Sequence, residues 1–230
     1  MSLVPHNEPR SRQERAERTR SLIIDTAARA FAERGFDGVS LNELILASGM
    51  SKGAFYFHFR NKEEVALAAF RAKQQELIAR LLADAEAGAS ATDELRRVLR
   101  RRARLISDDP TMRCVVRLGA ELSVRSGPGS EYGSFQQVAV RSLAELIERG
   151  VRSKEFGAQL DPLHTARAVF AWIVGIDSLS LLDSAGTDLA ERTEEVLALL
   201  IPALGIHTPH SALHAPRRQS KPERDHYGHQ

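Results

Sequence analysis

Residues 40–58 read SLNELILASGMSKGAFYFH, and the reading of this stretch decides the fold. Ser40, with Glu43 three residues on, is a capping box; Leu41, Leu44 and Ile45 then share one face over barely two turns before Ser48-Gly49 breaks the run. Ser51 caps a further short helix, Lys52 to His58. Between the two, Gly49 stands where a helix-turn-helix needs a positive φ angle, which glycine adopts without steric cost. Leu44, Met50 and Phe55 are spaced to pack these helices on each other and on a preceding helix, leaving the outer face of Lys52 to His58 free to enter a groove.

Outward from this unit the apolar residues repeat at three to four, so the fold class is all-α with about nine helices. Leu22, Ile23, Ala27, Ala30 and Phe31 stripe a first helix from Thr19 that Gly35 ends. Asn61 and Glu64 form a capping box for a long helix to about Ala85. Helices follow from Thr92 or Asp93 to Ile106 and from Pro110 to about Val124; Ser126-Gly127-Pro128-Gly129 with Gly133 makes a loop. Ser134 to Arg149, stopped by Gly150, comes next. Asp161-Pro162 opens a helix to about Leu182, and Thr187 or Asp188 opens the last, ending near Pro202. The divisions expected are a flexible basic arm at 1–17, a helix-turn-helix domain at 18–66, a larger helical domain at 67–206 and a disordered tail at 207–230.

The chain has 230 residues and a formal charge of +2, so no bulk excess dictates a partner. A single cysteine excludes an internal disulfide framework and any multi-thiolate metal site. Charged residues throughout the first forty positions leave no apolar signal-peptide core. No uninterrupted apolar stretch approaches the roughly 20 residues that span a bilayer, so a cytoplasmic protein without membrane contact is expected. Charge is placed locally: residues 1–62 hold ten Lys or Arg against seven Asp or Glu.

Ser51, Lys52 and Gly53 begin the outward helix, where amide groups and a hydroxyl can accept a phosphate and the missing Cβ of Gly53 lets backbone approach DNA. Tyr56, one turn on, can reach a phosphate or a thymine methyl. Lys52 can donate to guanine O6 and N7 in the major groove. Arg10, Arg12, Arg15, Arg18 and Arg20 could track phosphates or enter a minor groove, or could be a solvated tail. His58 stands between capping and phosphate contact. For Phe55, Phe57 and Phe59 the core is the better reading.

The stretch from Arg18 to Leu67 resembles the DNA-binding domain of TetR-type repressors. The likeness is carried by Phe31, Gly35, Ser40-Leu41-Asn42-Glu43-Leu44, Gly49-Met50-Ser51-Lys52-Gly53, Phe55-Tyr56-Phe57-His58-Phe59 and Asn61-Lys62-Glu63-Glu64. Ile45 departs from it, since helix-turn-helix proteins often have a small residue there. The resemblance implies a homodimer in which a small effector, bound in the larger domain, releases double-stranded operator DNA. It places Ser40, Ser51, Lys52, Gly53, Tyr56, His58 and Lys62 toward DNA, with Arg20 added from the first helix. Asp109-Pro110, Met112, Leu118-Gly119-Ala120, the Gly/Pro loop and the helix from Ser134 are similar to the butyrolactone-type autoregulator receptors within that family. Those receptors have a pocket tryptophan where this chain has Phe135, which implies a different ligand or an altered response. The candidate lining is Met112, Leu118, Phe135, Gln136, Val140 and Trp172, with ordinary core as the other reading of Trp172.

Ala168, Ala171, Gly175, Leu179 and Leu182, followed by Val196, Leu199 and Leu200, make apolar faces too broad for surface helices and are the expected dimer interface. Gly127-Pro128-Gly129-Ser130 lacks the residues of a phosphate-cradling loop. The histidines lack a helical metal spacing, so no metal or cofactor is expected. The run Arg96, Arg97, Arg100, Arg101, Arg102 and Arg104 reads as a solvated face or as intramolecular ion pairs. No catalytic spacing stands out. Against the ligand-released repressor stand a DNA-binding pseudo-receptor without ligand response and a helical enzyme or interaction bundle that binds no DNA.

Overall fold

The computed structural model describes residues 8–83, 88–127 and 129–205, and their regular structure is helical throughout. In chain order the helices are α1 (Glu8–Arg34), α2 (Leu41–Ala47), α3 (Lys52–His58), α4 (Lys62–Leu82) and α5 (Ala91–Asp108). A 3-10 turn, Pro110–Met112, leads into α6 (Arg113–Ser126), which is followed by α7 (Glu131–Arg152), α8 (Pro162–Ser184) and α9 (Leu189–Leu204). Side-chain oxygens of Ser40, Ser51, Asn61, Ser90, Ser130 and Asp161 accept amide hydrogens at the starts of α2, α3, α4, α5, α7 and α8. These are the residue types whose short polar side chains favour that position.

Two apolar clusters fill the interior. The first joins Phe31 and Ala27 of α1, Leu44 of α2 and Phe55 of α3 to Phe70 of α4, Met112, and Cys114 and Leu118 of α6. The helix-turn-helix and the start of the larger unit therefore share one core across the sequence boundary at 66. The second cluster joins α5, α7, α8 and α9 through Leu95, Leu99, Ile147, Phe156, Val169 and Leu197. Across the two, Asp177 of α8 is buried and takes a bidentate pair from Arg102 of α5, at 2.9 Å for the longer bond. Pairing is what makes burial of either charge tolerable.

Several local expectations change. Residues 8–17, expected as a flexible arm, continue α1, where Gln13 Nε2 donates to Glu17 Oε1 at 3.2 Å and Thr19 Oγ1 to the Arg15 carbonyl at 2.9 Å. Arg, Glu, Gln and Ala are good helix formers, so the segment needs no apolar face to extend an existing helix. Residues 1–7 and the tail from 206 lie outside the described residues. The helix expected from Pro110 is divided, because Asp109 Oδ1 accepts from both Thr111 N and Thr111 Oγ1 and holds a tight first turn.

Gly150 does not stop α7, which runs on to Arg152. Its role is packing, since any Cβ there would collide with the Phe156 ring. Finally, α8 is long and apolar enough to cross a membrane by length and composition alone, with a mean hydropathy of 1.4 in its most apolar window. The sequence expectation missed this by counting only unbroken apolar runs.

Candidate nucleic-acid interface

The α2–α3 unit is held by its own caps. Ser40 Oγ accepts Glu43 N at 3.2 Å while Glu43 Oε2 accepts Ser40 N at 2.7 Å, and Arg34 donates to Glu43 Oε1 at 2.6 Å. Hydrogen bonds from Ser40, then Arg34, hold the Glu43 carboxyl down at about 2. At the far end of α2, Ser48 N–H donates to the Leu44 carbonyl at 3.0 Å and Ser48 Oγ to the Ile45 carbonyl at 2.8 Å. Gly49 then turns the chain at φ 67°. Ser51 Oγ accepts Ala54 N at 3.2 Å and starts α3. Leu44, Ile45 and Phe55 are buried, so Ile45 is absorbed into the core.

Two faces of α3 follow from this anchoring. Phe55 and Phe59 point inward, and Arg20 of α1 lies over the Phe59 ring at 5.1 Å. Lys52, Gly53, Tyr56 and Phe57 lie on the other side, at helical offsets of zero, one, four and five, together with the capping Ser51. Tyr56 is 48% exposed and Phe57 79%. Phe57 corrects the expectation that all three phenylalanines are core, because the 3.6-residue period carries position 57 away from 55 and 59. Among the described residues no hydrogen bond or ion pair occupies the Lys52 ammonium. A Cβ added to Gly53 would meet nothing within 4 Å, and its φ is ordinary. Nothing among the described residues requires glycine there.

Two other residues expected toward DNA sit differently. Lys62 turns back into the protein: its ammonium donates to the carbonyls of Phe36 at 2.9 Å and Val39 at 3.0 Å, and lies 4.0 Å over the Phe36 ring. It therefore ties the α1–α2 turn to the start of α4. His58 is half-buried, with its ring edge-on to Phe57 at 5.0 Å, and it caps no helix. Ser40 is exposed and Arg20 reaches the surface beside α3.

The α1–α2 turn is also gripped from α6. Arg117 donates to the Glu33 carbonyl at 2.7 Å, Glu121 Oε2 accepts Phe36 N at 2.6 Å, and Arg125 pairs with Asp37 at 2.8 Å. These three residues are four apart and form one face of α6. Sequence reading passed over them because their partners lie about 85 positions away, beyond any local pattern.

The expected effector lining is not gathered at one hollow. Met112 and Leu118 are buried in the first cluster, and Phe135 packs edge-on against Phe70 at 5.8 Å. Gln136 Nε2 donates to Ser123 Oγ at 3.1 Å, and Val140 leans on the second cluster. Trp172 is 43% exposed and sits between Ala168 and Gly175 on the outer stripe of α8. One open groove of about 240 Å³ lies between α4 and α6 against Phe36, Leu67 and Tyr132, and another of about 440 Å³ lies on α5; neither is lined by any of the six.

The expected dimer faces divide as well. Ala168, Ala171, Gly175, Leu179 and Leu182 form one exposed stripe, with Leu182 at 81%, and Leu199 of α9 is 70% exposed. Val196 is half-buried, and Leu200 belongs to the second cluster, so it leaves the exposed set.

Residues 23–69 match the family profile of bacterial regulatory proteins, tetR family. The chain is 26% identical over 194 residues to the A-factor receptor protein of Streptomyces griseus, covering 84% of this chain and 66% of that protein. The TetR family protein CprB from S. coelicolor A3(2) superposes with a TM-score of 0.68 at 27% identity, over 83% of this chain and 90% of that one. A gamma-butyrolactone receptor described as ArpA-like gives 0.61 at 26% identity, over 80% and 100%.

Proposed function

We propose that this chain, a TetR-type transcriptional regulator resembling the gamma-butyrolactone receptors, is a cytoplasmic homodimeric repressor released from a palindromic operator by a small, largely apolar effector. The observation that carries the DNA-binding half is the outer face of α3. Phe55 and Phe59 anchor the helix, while Ser51, Lys52, Gly53, Tyr56 and Phe57 face away from the core. Lys52 supplies the hydrogen-bond donor that reads guanine; Ser51 and Tyr56 supply phosphate partners; Gly53 permits close backbone approach. Phe57 has no polar atom, so its contribution is apolar contact with thymine methyls or sugars.

Dimerisation is supported by the stripe from Ala168 to Leu182 with Leu199 beside it, an apolar surface too extensive to leave in water. Trp172 falls on this stripe and joins the interface rather than a pocket. A two-fold axis there repeats α3 on the partner, and helix-turn-helix dimers meet half-sites about one duplex turn, ~34 Å, apart. Effector binding favours a conformer with a different spacing, and operator affinity falls by the difference in effector affinity between the two states. The continuous α4 and the three-residue grip of α6 transmit that change. Phe135, packed edge-on against Phe70 where the resemblance implies an indole, favours a second reading, a pseudo-receptor whose DNA binding does not respond to a lactone.

The test is a gel shift on duplexes selected from a random pool by the native protein. Lys52→Ala and Tyr56→Ala should weaken specific binding while the dimer persists on size exclusion. Unchanged binding by both variants removes α3 from the interface.

A further inference from the structure

The larger of the two grooves, about 440 Å³, is lined by Asp93, Arg96, Arg97, Arg100, Arg101 and Arg104. These positions are offset by zero, three, four, seven, eight and eleven along α5, which is one continuous helix face; the opposite face supplies Leu95, Leu99, Ala103 and Ile106 to the core. Guanidiniums one turn apart repel one another. Among the described residues, Arg100 makes a bidentate pair with Glu194, both bonds at 2.7 Å; the same carboxylate also faces Arg96 and Arg104, Arg101 has a partner of its own, and Asp93 adds one carboxylate, so five guanidiniums share a smaller number of acids lining the groove. Arg97 Nε is buried and makes no hydrogen bond among the described residues.

We propose that this groove binds a small molecule carrying two or more adjacent phosphate groups. Arginine's planar fork matches phosphate oxygens bidentately, and several forks on one face suit a compact multivalent anion better than a single charge. The volume lies within the range of small-ligand sites, roughly 300–1,000 Å³. Its place in the fold separates it from the operator. Arg97 Nη1 reaches the carbonyl of Leu81 at 3.5 Å, at the end of α4 remote from the helix-turn-helix. Leu81 lies about 28 Å along that helix from Lys62 at 1.5 Å per residue. A duplex seated on α3 does not extend to this groove, whereas a phosphate held by Arg97 acts on the far end of the helix that joins the two units.

The experiment is titration calorimetry of the full-length protein with sodium pyrophosphate, orthophosphate and an unrelated 20-base-pair duplex, in about 150 mM salt to screen loose surface binding. Pyrophosphate should bind saturably, once per chain, about tenfold tighter than orthophosphate, and Arg96→Gln/Arg104→Gln should weaken it by about tenfold or more. That variant keeps Arg97 on Leu81 and Arg100 on Glu194, and its unchanged melting temperature excludes misfolding as the cause. ADP binding tighter than pyrophosphate assigns a nucleoside diphosphate, and weaker binding assigns a free oligophosphate; either supports the site.

Lys52→Ala should bind pyrophosphate as the native chain does, so failure here and failure of the operator assignment are separable. Absence of saturable binding, equal affinity for orthophosphate, an unaffected double variant, or displacement of pyrophosphate by the duplex in the Lys52→Ala background overturns the proposal.

Discussion

Glu121 of α6 accepts the backbone N–H of Phe36 at 2.6 Å, and the same carboxylate occupies the space any side chain at position 35 would fill. Gly35 also turns at φ 72°, so two independent constraints fix glycine at the junction between α1 and the helix-turn-helix. Glu121→Ala leaves the Phe36 amide without its partner, and truncations of this kind cost about 1–3 kcal/mol. The expected result is a lower melting temperature together with weaker operator binding, although Glu121 is remote from the α3 face. Gly35→Ala should be at least as damaging, through the strained φ and the collision with Glu121. An unchanged melting temperature in both variants removes the grip of α6 on the α1–α2 turn.

Gly49 and Gly53 look alike in sequence and should behave in opposite ways. Gly49 has open space around its Cβ position but a φ of 67°, so Gly49→Ala should cost about 1 kcal/mol of stability through the backbone alone. Gly53 has open space and an ordinary φ, so Gly53→Ala should hold or raise the melting temperature and weaken DNA binding. The phenylalanines pair similarly. Phe55→Ala opens the core and should cost about 3–5 kcal/mol, whereas Phe57→Ala should leave stability within about 0.5 kcal/mol and reduce operator affinity. Melting curves and gel shifts on the four variants check this. A destabilised Phe57→Ala with intact DNA binding would place that ring back in the core.

Sequence alone made the tip legible, because capping boxes, the Gly49 corner and the Ser51 cap are local signals whose physics ends within four residues. The same locality explains what it misplaced. Motif alone turns Lys62 toward DNA, yet the Phe36 and Val39 carbonyls that hold its ammonium belong to a turn more than twenty positions earlier. Composition alone puts Phe57 in the core, and only the phase of α3 against its anchors Phe55 and Phe59 reveals the outward direction. For Trp172 and Leu200 the sequence offers only apolarity, which does not tell which side of α8 or α9 meets its own chain. The arginine run reads as solvated or paired: Arg102 and Arg100 pair with Asp177 and Glu194, and Arg96, Arg97, Arg100, Arg101 and Arg104 line the α5 groove.

The stripe on α8 makes a separate prediction. Leu182→Glu or Trp172→Glu should convert the proposed dimer into a folded monomer by size exclusion with light scattering, since both residues are exposed in the single chain and neither supports its core. Operator binding should fall with dimerisation, because one α3 reads only half a site. A variant that remains dimeric with unchanged affinity moves the two-fold axis elsewhere.

Acid sensitivity follows from the caps. Glu43 is held at about 2 by hydrogen bonds from Ser40 and Arg34. Glu155, against the opposing effect of its burial, is held at about 2 by the Thr92 and Ala91 amides at the start of α5. Both values lie below the unfolded carboxyl, about 4.3 for glutamate. Each group therefore contributes stability above that unfolded value and loses it as pH falls toward the folded one. Melting temperature should be level from pH 7 to about 5 and decline between about 4.5 and 2, with a shallower decline in Glu43→Gln and Glu155→Gln. Parallel slopes in native and variant proteins would show that these caps do not drive the transition.

The claim on which the account rests is that the outer face of α3 enters a duplex twice per dimer, and hydroxyl-radical footprinting on a selected operator tests it most directly. The prediction is two protected patches related by a two-fold axis and about one duplex turn, ~34 Å, apart, both lost with Lys52→Ala while the dimer remains intact. A single patch, or protection that survives the loss of Lys52, Tyr56 and Phe57 side chains together, would contradict it.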